Sequence, residues 1–464
     1  MPTLPLPFTS DQQHSKRGQR LVNCSPESSG MGGEQVITLI GSPGIDEWGD
    51  ESNRNGCRGA GRFNGLLYAV KGDRLYEYDN AGNIRNVGHI PGSHRVSMAS
   101  IGVQLVIVSE PHGYYVDKAG VLTKILDPTF LAWGASHVTS DSGFALFVAP
   151  NSQIFFKSPF NDASGPYDGL EFGLASKYGD DANSVLAAQS QLLVGCNESI
   201  ELWYATGAVP FPYARNPTSV IDIGVQARHT LISDNLTVYF LGDDLSFYRM
   251  QLGSIAPERI SKSYFTEELQ KYDRTDDAYA FITKISGNHH LVVTFPDAER
   301  TWSFAVNTGQ WFERESYGMK RWNVDDAVEI WNKHILFQHN GKKSGVLNQY
   351  TGNEWGAHQI KTWTYPVVYA EGKLARHARL WLDVDTGFGP LTEEHFIEME
   401  ISDDGGETFR FGPRASIGTR GKYGYRVSFN GLGSSDERAY RLSFSGNARL
   451  KCRDTQLEAE QARL

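Results

Sequence analysis

The chain has 464 residues, a formal charge of −10, 12% aromatic residues and 48 glycines. That length allows two or three domains and a large core without disulfide or metal staples. The acidic balance excludes a general nucleic-acid-binding surface, which needs clustered Lys and Arg, but not a wall that DNA slides past without sticking.

Aromatic and glycine abundance together point to an all-β chain of short strands and tight turns. Residues 1–60 are Pro- and Gly-rich with little periodicity, and are expected to form an N-terminal arm and part of a platform. The opening MPTLPLPFTSDQQHSKRGQR has no apolar core of signal-peptide type, and no apolar run has the length of a membrane span. The expectation is a soluble protein made in a reducing cytoplasm without a cleaved signal. Cys24, Cys57, Cys196 and Cys452 lie far apart, with no zinc-site spacing, and are expected to be free thiols.

From residue 61 to 360 a unit repeats: an apolar strand, a short turn and a second strand rich in Tyr or Phe. NGLLYAVKGDRLYEYD begins at Asn64 and GVQLVIVSEPHGYYVD at Gly102. Seven copies align on Leu67, Leu105, Ala145, Leu192, Thr237, Leu291 and Ile335, in steps of 38, 40, 47, 45, 54 and 44 residues. A four-stranded propeller blade takes about 40–50 residues. The repeat therefore predicts a β-propeller of six or seven blades, with seven favoured. The first strand of each hairpin is nearly continuous in apolar residues, as strands buried on both faces are. The second alternates, as in Leu75-Tyr76-Glu77-Tyr78, and is expected to be half exposed. One helix is predicted over SKSYFTEELQKY, Ser261 to Tyr272, with Ser and Thr near its start and Tyr264, Phe265 and Leu269 on one face. Residues 361–464 alternate more strictly between Gly-rich turns and are expected to form an antiparallel β-sandwich, or platform, domain. Its strand candidates are TWTYPVVYA, ARLWLDVDT, HFIEMEISD, ETFRFG, YGYRVSF and AYRLSFSG.

Candidate chemistry is sparse. Ser402-x-Asp404-x-Gly406-x-Thr408 resembles the Asp box of sialidase-type propellers, but it occurs once, outside the repeat, and reads as a hairpin turn without catalysis. Acidic pairs at Asp180-Asp181, Asp243-Asp244, Asp276-Asp277, Asp325-Asp326 and Asp403-Asp404 read as solvated turns, and whether one holds a structural Ca²⁺ stays open. His289-His290 are neighbours in a strand, so they face opposite ways and do not share a metal easily. His334 and His339 fall in a later hairpin, with no base and orienting carboxylate set beside a nucleophile. Gly41-Ser-Pro-Gly44 lacks the Lys-Ser/Thr and helix of a phosphate loop. Trp203, Trp302, Trp311, Trp331 and Trp355 read as core rather than sugar platforms. Arg410, Arg414, Arg420, Lys422, Arg426, Arg438, Arg441, Arg449, Lys451 and Arg453 read equally as a solvated sheet face or a face for an acidic partner or DNA. No catalytic, cofactor or metal residues are assigned.

Several patches, in order, carry a family resemblance: LVNCSPE from Leu21, LIGSPGI from Leu39, HRVSMAS from His94, LLVGCNESIELWYATGAV from Leu192, IDIGVQARHT from Ile221, SKSYFTEEL from Ser261, the SDDGG turn and RVSFNGLGSSDERAYRLSF. Together they resemble the packaged-DNA stabilisation proteins of short-tailed bacteriophages, also called tail accessory, hub or nozzle proteins. The resemblance implies a non-enzymatic component of the virion tail. It implies a homo-oligomeric ring of six copies below the head-to-tail adaptor and portal proteins. Such a ring extends the channel, retains packaged DNA, touches passing double-stranded DNA transiently, and supports a tail needle or plug and tailspikes or fibres for genome ejection. The alternative is a receptor- or polysaccharide-binding propeller, or less favourably a glycan-cleaving one.

Overall fold

A computed structural model describes residues 4, 6, 7, 10, 19–29, 36–175, 177–189, 191–285, 287–370, 372–385, 394–418, 420, 421 and 426–461. The protein is all-β. Among the described residues, seven four-stranded antiparallel meanders follow one another in sequence. Six are contiguous, at 57–89, 97–124, 137–174, 182–221, 232–259 and 279–313. The seventh takes three strands from 324–348 and its fourth from the N-terminal side, Gly44–Trp48. Innermost strands touch from each sheet to the next, and Val324–Ile330 touches Cys57–Phe63, so the row closes into a ring. The sheets are numbered here blade 1 to blade 7. Gly44–Trp48 covers a blade edge with chain from the other end of the sequence, which locks the ring.

The repeated hairpins are the second and third strands of the blades. Leu67, Leu105, Ala145, Leu192, Leu291 and Ile335 are all buried, because these strands are covered on both faces by neighbouring blades. The third strand is more buried than its alternation suggests. In Arg74–Tyr78, Leu75, Tyr76 and Tyr78 are all buried, since Tyr78 packs against Trp48 and Phe337 of blade 7.

The predicted helix is shorter than its pattern, Ser263–Leu269. No side chain caps it; the Ser261 hydroxyl instead accepts from the Phe247 N–H at 2.9 Å. Tyr264, Phe265 and Leu269 are buried, and the Phe265 ring lies 4.5 Å from that of Trp311. A second helix, Pro128–Trp133, escapes the sequence reading because it has a single turn and a half. Asp127 caps it, accepting from the N–H groups of Thr129 and Phe130.

The remaining strands form a sandwich. One sheet runs Lys361–Thr364, Glu437–Phe444, Phe396–Ser402, Arg410–Ser416. The other runs Cys24–Ser29, Val36–Gly41, Lys451–Gln461, Ala375–Val384, Val427–Asn430. Leu39, Trp363, Leu380, Met399, Leu442 and Phe444 lie in the core between them. Lys451–Gln461 is absent from the sequence candidates because its charged, helix-favouring composition hides the inward set of Cys452, Thr455 and Leu457. Of the candidate YGYRVSF, residues 423–425 lie outside the described residues, as does Lys422.

The two parts share hydrogen bonds. Arg20–Val22 pairs antiparallel with Lys361–Thr364 and, through Val22 and Glu313, parallel with the outer strand of blade 6. One sheet thus continues from the propeller into the sandwich.

Candidate functional site

A cleft of about 800 Å³ opens at one mouth of the ring. It is built from segments leading into innermost strands (55–58, 92–95, 228–229, 274–279 and 321–325) and from hairpin turns carrying Asp73, Glu110, Asp297 and His339. Because every innermost strand enters from the same end, these segments gather around one axis.

At its centre is an ion-pair network that joins blades 1, 2, 6 and 7. Asp325 Oδ2 accepts from the Cys57 N–H at 2.8 Å. Its Oδ1 accepts from Arg321 at 3.0 Å and the Tyr279 hydroxyl at 3.0 Å, and lies 2.8 Å from His339 Nδ1. Asp326 accepts from Arg95 at 2.8 Å and from the Ala60 N–H at 3.0 Å. The Arg95 guanidinium also stacks 3.9 Å from the centre of the Tyr279 ring. Burial would raise the Asp325 carboxyl, but His339, Arg321 and the Cys57 N–H together hold it below its ordinary value. Burial pushes Asp326 above its ordinary value despite Arg95. Burial and Asp325 raise the Tyr279 phenol, which donates to Asp325.

This overturns one sequence expectation. Asp325-Asp326 is no solvated turn: both residues are buried in the first strand of blade 7. They are there because that strand meets blade 1, whose free N–H groups and neighbouring arginines need acceptors. The other acidic pairs differ. Asp243-Asp244 and Asp403-Asp404 lie in exposed turns, while Asp276 pairs with Arg274 at the cleft rim. Other cleft carboxylates also meet arginines, Glu110 with Arg228 at 2.6 Å and Asp73 with Arg54 at 2.6 Å. Asp277, also in the cleft, instead accepts from the Asp297 N–H at 2.8 Å, and burial raises its carboxyl. Among the described residues no group of three or more His, Cys, Asp or Glu comes together as a metal site.

The other sequence candidates are scattered. The Asp-box residues form a self-contained turn: Ser402 donates to Asp404 at 2.6 Å, and Asp404 accepts from the N–H groups of Glu407 and Thr408. His289 reaches Asp234, whereas His290 faces the interior against Phe312. His334 lies near Glu329, away from His339. Gly41 to Gly44 links a sandwich strand to the closing strand of blade 7, with no helix after it. Trp203, Trp302, Trp311 and Trp355 are buried, and Trp331 is partly buried with its N–H on the Gly65 carbonyl. Many C-terminal arginines pair with acids: Arg410 and Arg438 with Asp403, Arg441 with Glu400, Arg453 with Asp383. All four cysteines are free and buried. No helix among the described residues is long and apolar enough to cross a membrane.

A profile of the phage-stabilisation family described as "Bacteriophage P22 Gp10, beta-propeller" matches residues 8–352. The chain belongs to that family. It is a Gp10-like β-propeller protein of the phage tail and DNA-stabilisation class, and a phage structural protein. The matched residues take in all seven blades and the N-terminal strands of the sandwich. No curated protein sequence matches. Among solved structures, a catalytically inactive variant of virginiamycin B lyase from Staphylococcus aureus, with quinupristin, is similar at 13% identity and TM-score 0.45, covering 66% of this chain and 99% of its own. The extracellular domain of the putative hybrid two-component system BT4673 from B. thetaiotaomicron is similar at 9% identity and TM-score 0.44, covering 75% and 45%. The Cps50 (Swd1) β-propeller domain of Myceliophteria thermophila is similar at 9% identity and TM-score 0.41, covering 65% and 98%.

Proposed function

We propose that this chain is a non-enzymatic tail hub, or nozzle, protein of a short-tailed phage. Copies assemble as a hexameric ring under the portal–adaptor complex, extend and close the DNA channel, and support the needle and the spikes or fibres used in genome ejection. The observation that carries this reading is the family match over residues 8–352. The continuous sheet from blade 6 into the sandwich supports it, since a part under mechanical stress needs its propeller fixed rigidly to its platform. The buried network of the axial cleft is in keeping with it, because Asp325 and Asp326 are committed to holding blades 1, 2, 6 and 7 together. A net charge of −10 suits a conduit that must not hold its cargo. A closed ring of identical subunits requires a heterologous interface, one face of each copy meeting a different face of the next.

The test is cryo-electron microscopy of intact virions. Density for this propeller as six copies directly below the adaptor ring supports the proposal. Density only at the tips of the fibres or spikes, together with binding or cleavage of host polysaccharide by the purified chain, overturns it in favour of a receptor-binding protein.

A further inference from the structure

The sheet that continues from blade 6 into the sandwich carries a second cavity, of about 430 Å³, at the seam. Its floor is one face of that sheet. Arg20 stands opposite Thr364 across one strand pair, and Thr364 stands opposite Arg441 across the next. Residues so opposed point to the same face about 5 Å apart, so two arginines flank one hydroxyl. In blade 6, Arg300 and Trp302 are two residues apart on one strand and extend the floor. The helix Ser263–Leu269 brings Glu268 to one wall, and the Asp-box turn brings Glu407 and Phe409 to another. The turn without catalysis thus shapes a pocket.

Donors in this pocket are left over. Arg441 donates from Nη1 to Glu400 at 3.3 Å and stacks 3.6 Å from the centre of the Phe409 ring. Its Nε is buried with no hydrogen-bond partner among the described residues. Thr364 is 5% exposed, and its hydroxyl is likewise unpartnered. Among the described residues Arg300 comes no closer than 3.9 Å to a carboxylate, that of Glu315. The acids of the pocket are placed differently. Glu313 already accepts two hydrogen bonds from Arg20, and Glu268 pairs with Lys271 at 2.7 Å. Glu407 is exposed, and no ion pair among the described residues involves it.

We propose that this pocket receives a carboxylate from a peptide segment of another tail protein, one in which an acidic residue has a basic neighbour; the choice of a tail protein rests on the function proposed above. Arg300 and Arg441 give the carboxylate charge-assisted N–H donors, and the Thr364 hydroxyl adds another. Glu407, at the rim, takes the neighbouring cation. The acids around the cavity repel a phosphate backbone, which favours a single carboxylate over DNA.

The test uses the full chain. Crystals soaked in para-bromobenzoate should show an anomalous bromine peak inside the cavity, and crystals soaked in para-bromobenzamide should not. In isothermal titration, acetyl-Gly-Lys-Glu-Gly-amide should bind about tenfold more tightly than its Gln-for-Glu analogue. Arg300→Met should remove that preference, and Glu407→Gln should weaken the peptide while leaving the bromobenzoate peak. If Arg300→Met does not fold, the two peptides on the unaltered protein decide. Equal affinity for the two peptides, no bromine peak, or a peak with binding at crystal concentration only overturns the proposal. Loading onto the portal–adaptor complex is read separately. A chain that loads there but fails the peptide test overturns the pocket alone; a chain that prefers the acidic peptide but does not load overturns the hub reading and leaves the carboxylate pocket standing.

Discussion

Arg20 grips Glu313 with two hydrogen bonds, 3.0 Å from Nε and 2.8 Å from Nη2, across the seam where propeller sheet becomes sandwich sheet. Glu313 is nearly buried and Arg20 is about one-third exposed; Arg20 also reaches Glu315 at 2.8 Å. Glu313→Gln keeps the shape and removes the charge. Since solvent screens part of the pair and Glu315 remains, the expected loss is about 1–2 kcal/mol, read by denaturant unfolding. A change below the error of that measurement would mean that the seam rests on backbone pairing alone.

The Arg95–Asp326 pair should matter more. Both side chains are mostly buried, and Asp326 also caps the Ala60 N–H. Arg95→Met strands a buried carboxylate and should cost about 3–5 kcal/mol. Adding Asp326→Asn should restore much of the loss, a coupling that a double-mutant cycle measures directly.

Gly224 lies against the blade 4 turn. A Cβ on it would stand 1.9 Å from the Asn197 carbonyl oxygen, a backbone atom that cannot swing aside. Gly224→Ala should destabilise by about 3 kcal/mol or reduce soluble yield sharply. Full stability in the variant would show that this turn relaxes freely.

Acid should weaken the sandwich through His377. Burial, then Arg438, lowers its imidazole to about 4, and its Nδ1 lies 2.7 Å from the Tyr440 hydroxyl. The unfolded value is about 6.5. Between these values the unfolded chain binds the extra proton, so stability is level above about pH 6.5 and falls as pH drops toward 4. The slope from this one group approaches about 1.4 kcal/mol per pH unit. His377→Gln, which does not titrate, should flatten that decline in denaturation curves taken between about pH 7 and 4.5.

Much of the fold is legible in the sequence, and the limit has a physical cause. Second blade strands show because burial on both faces writes continuous apolar runs, as in Leu66–Lys71 and Gln104–Ser109, and third strands show by their Tyr- and Phe-rich pattern, as in Arg74–Tyr78. Outer strands such as Leu122–Lys124 and Glu258–Arg259 are too short and too exposed to leave a pattern. Gly44–Trp48 joins blade 7 by pairing with Ser344–Asn348, a partner some 300 residues away that no local window contains. The cleft network was hidden for the same reason. Asp325-Asp326 looks like a turn until Arg95, Tyr279 and Cys57, brought in by other blades, supply their partners. One signal was available: the pair lies within VDDAVEI, between Val324 and the apolar Ala327, Val328 and Ile330.

Native mass spectrometry of the purified chain, alone and after mixing with its phage's portal–adaptor complex, tests the ring assembly most directly. About six copies should add to each adaptor ring. A chain that ignores the ring and stays a monomer or forms a free trimer would contradict it.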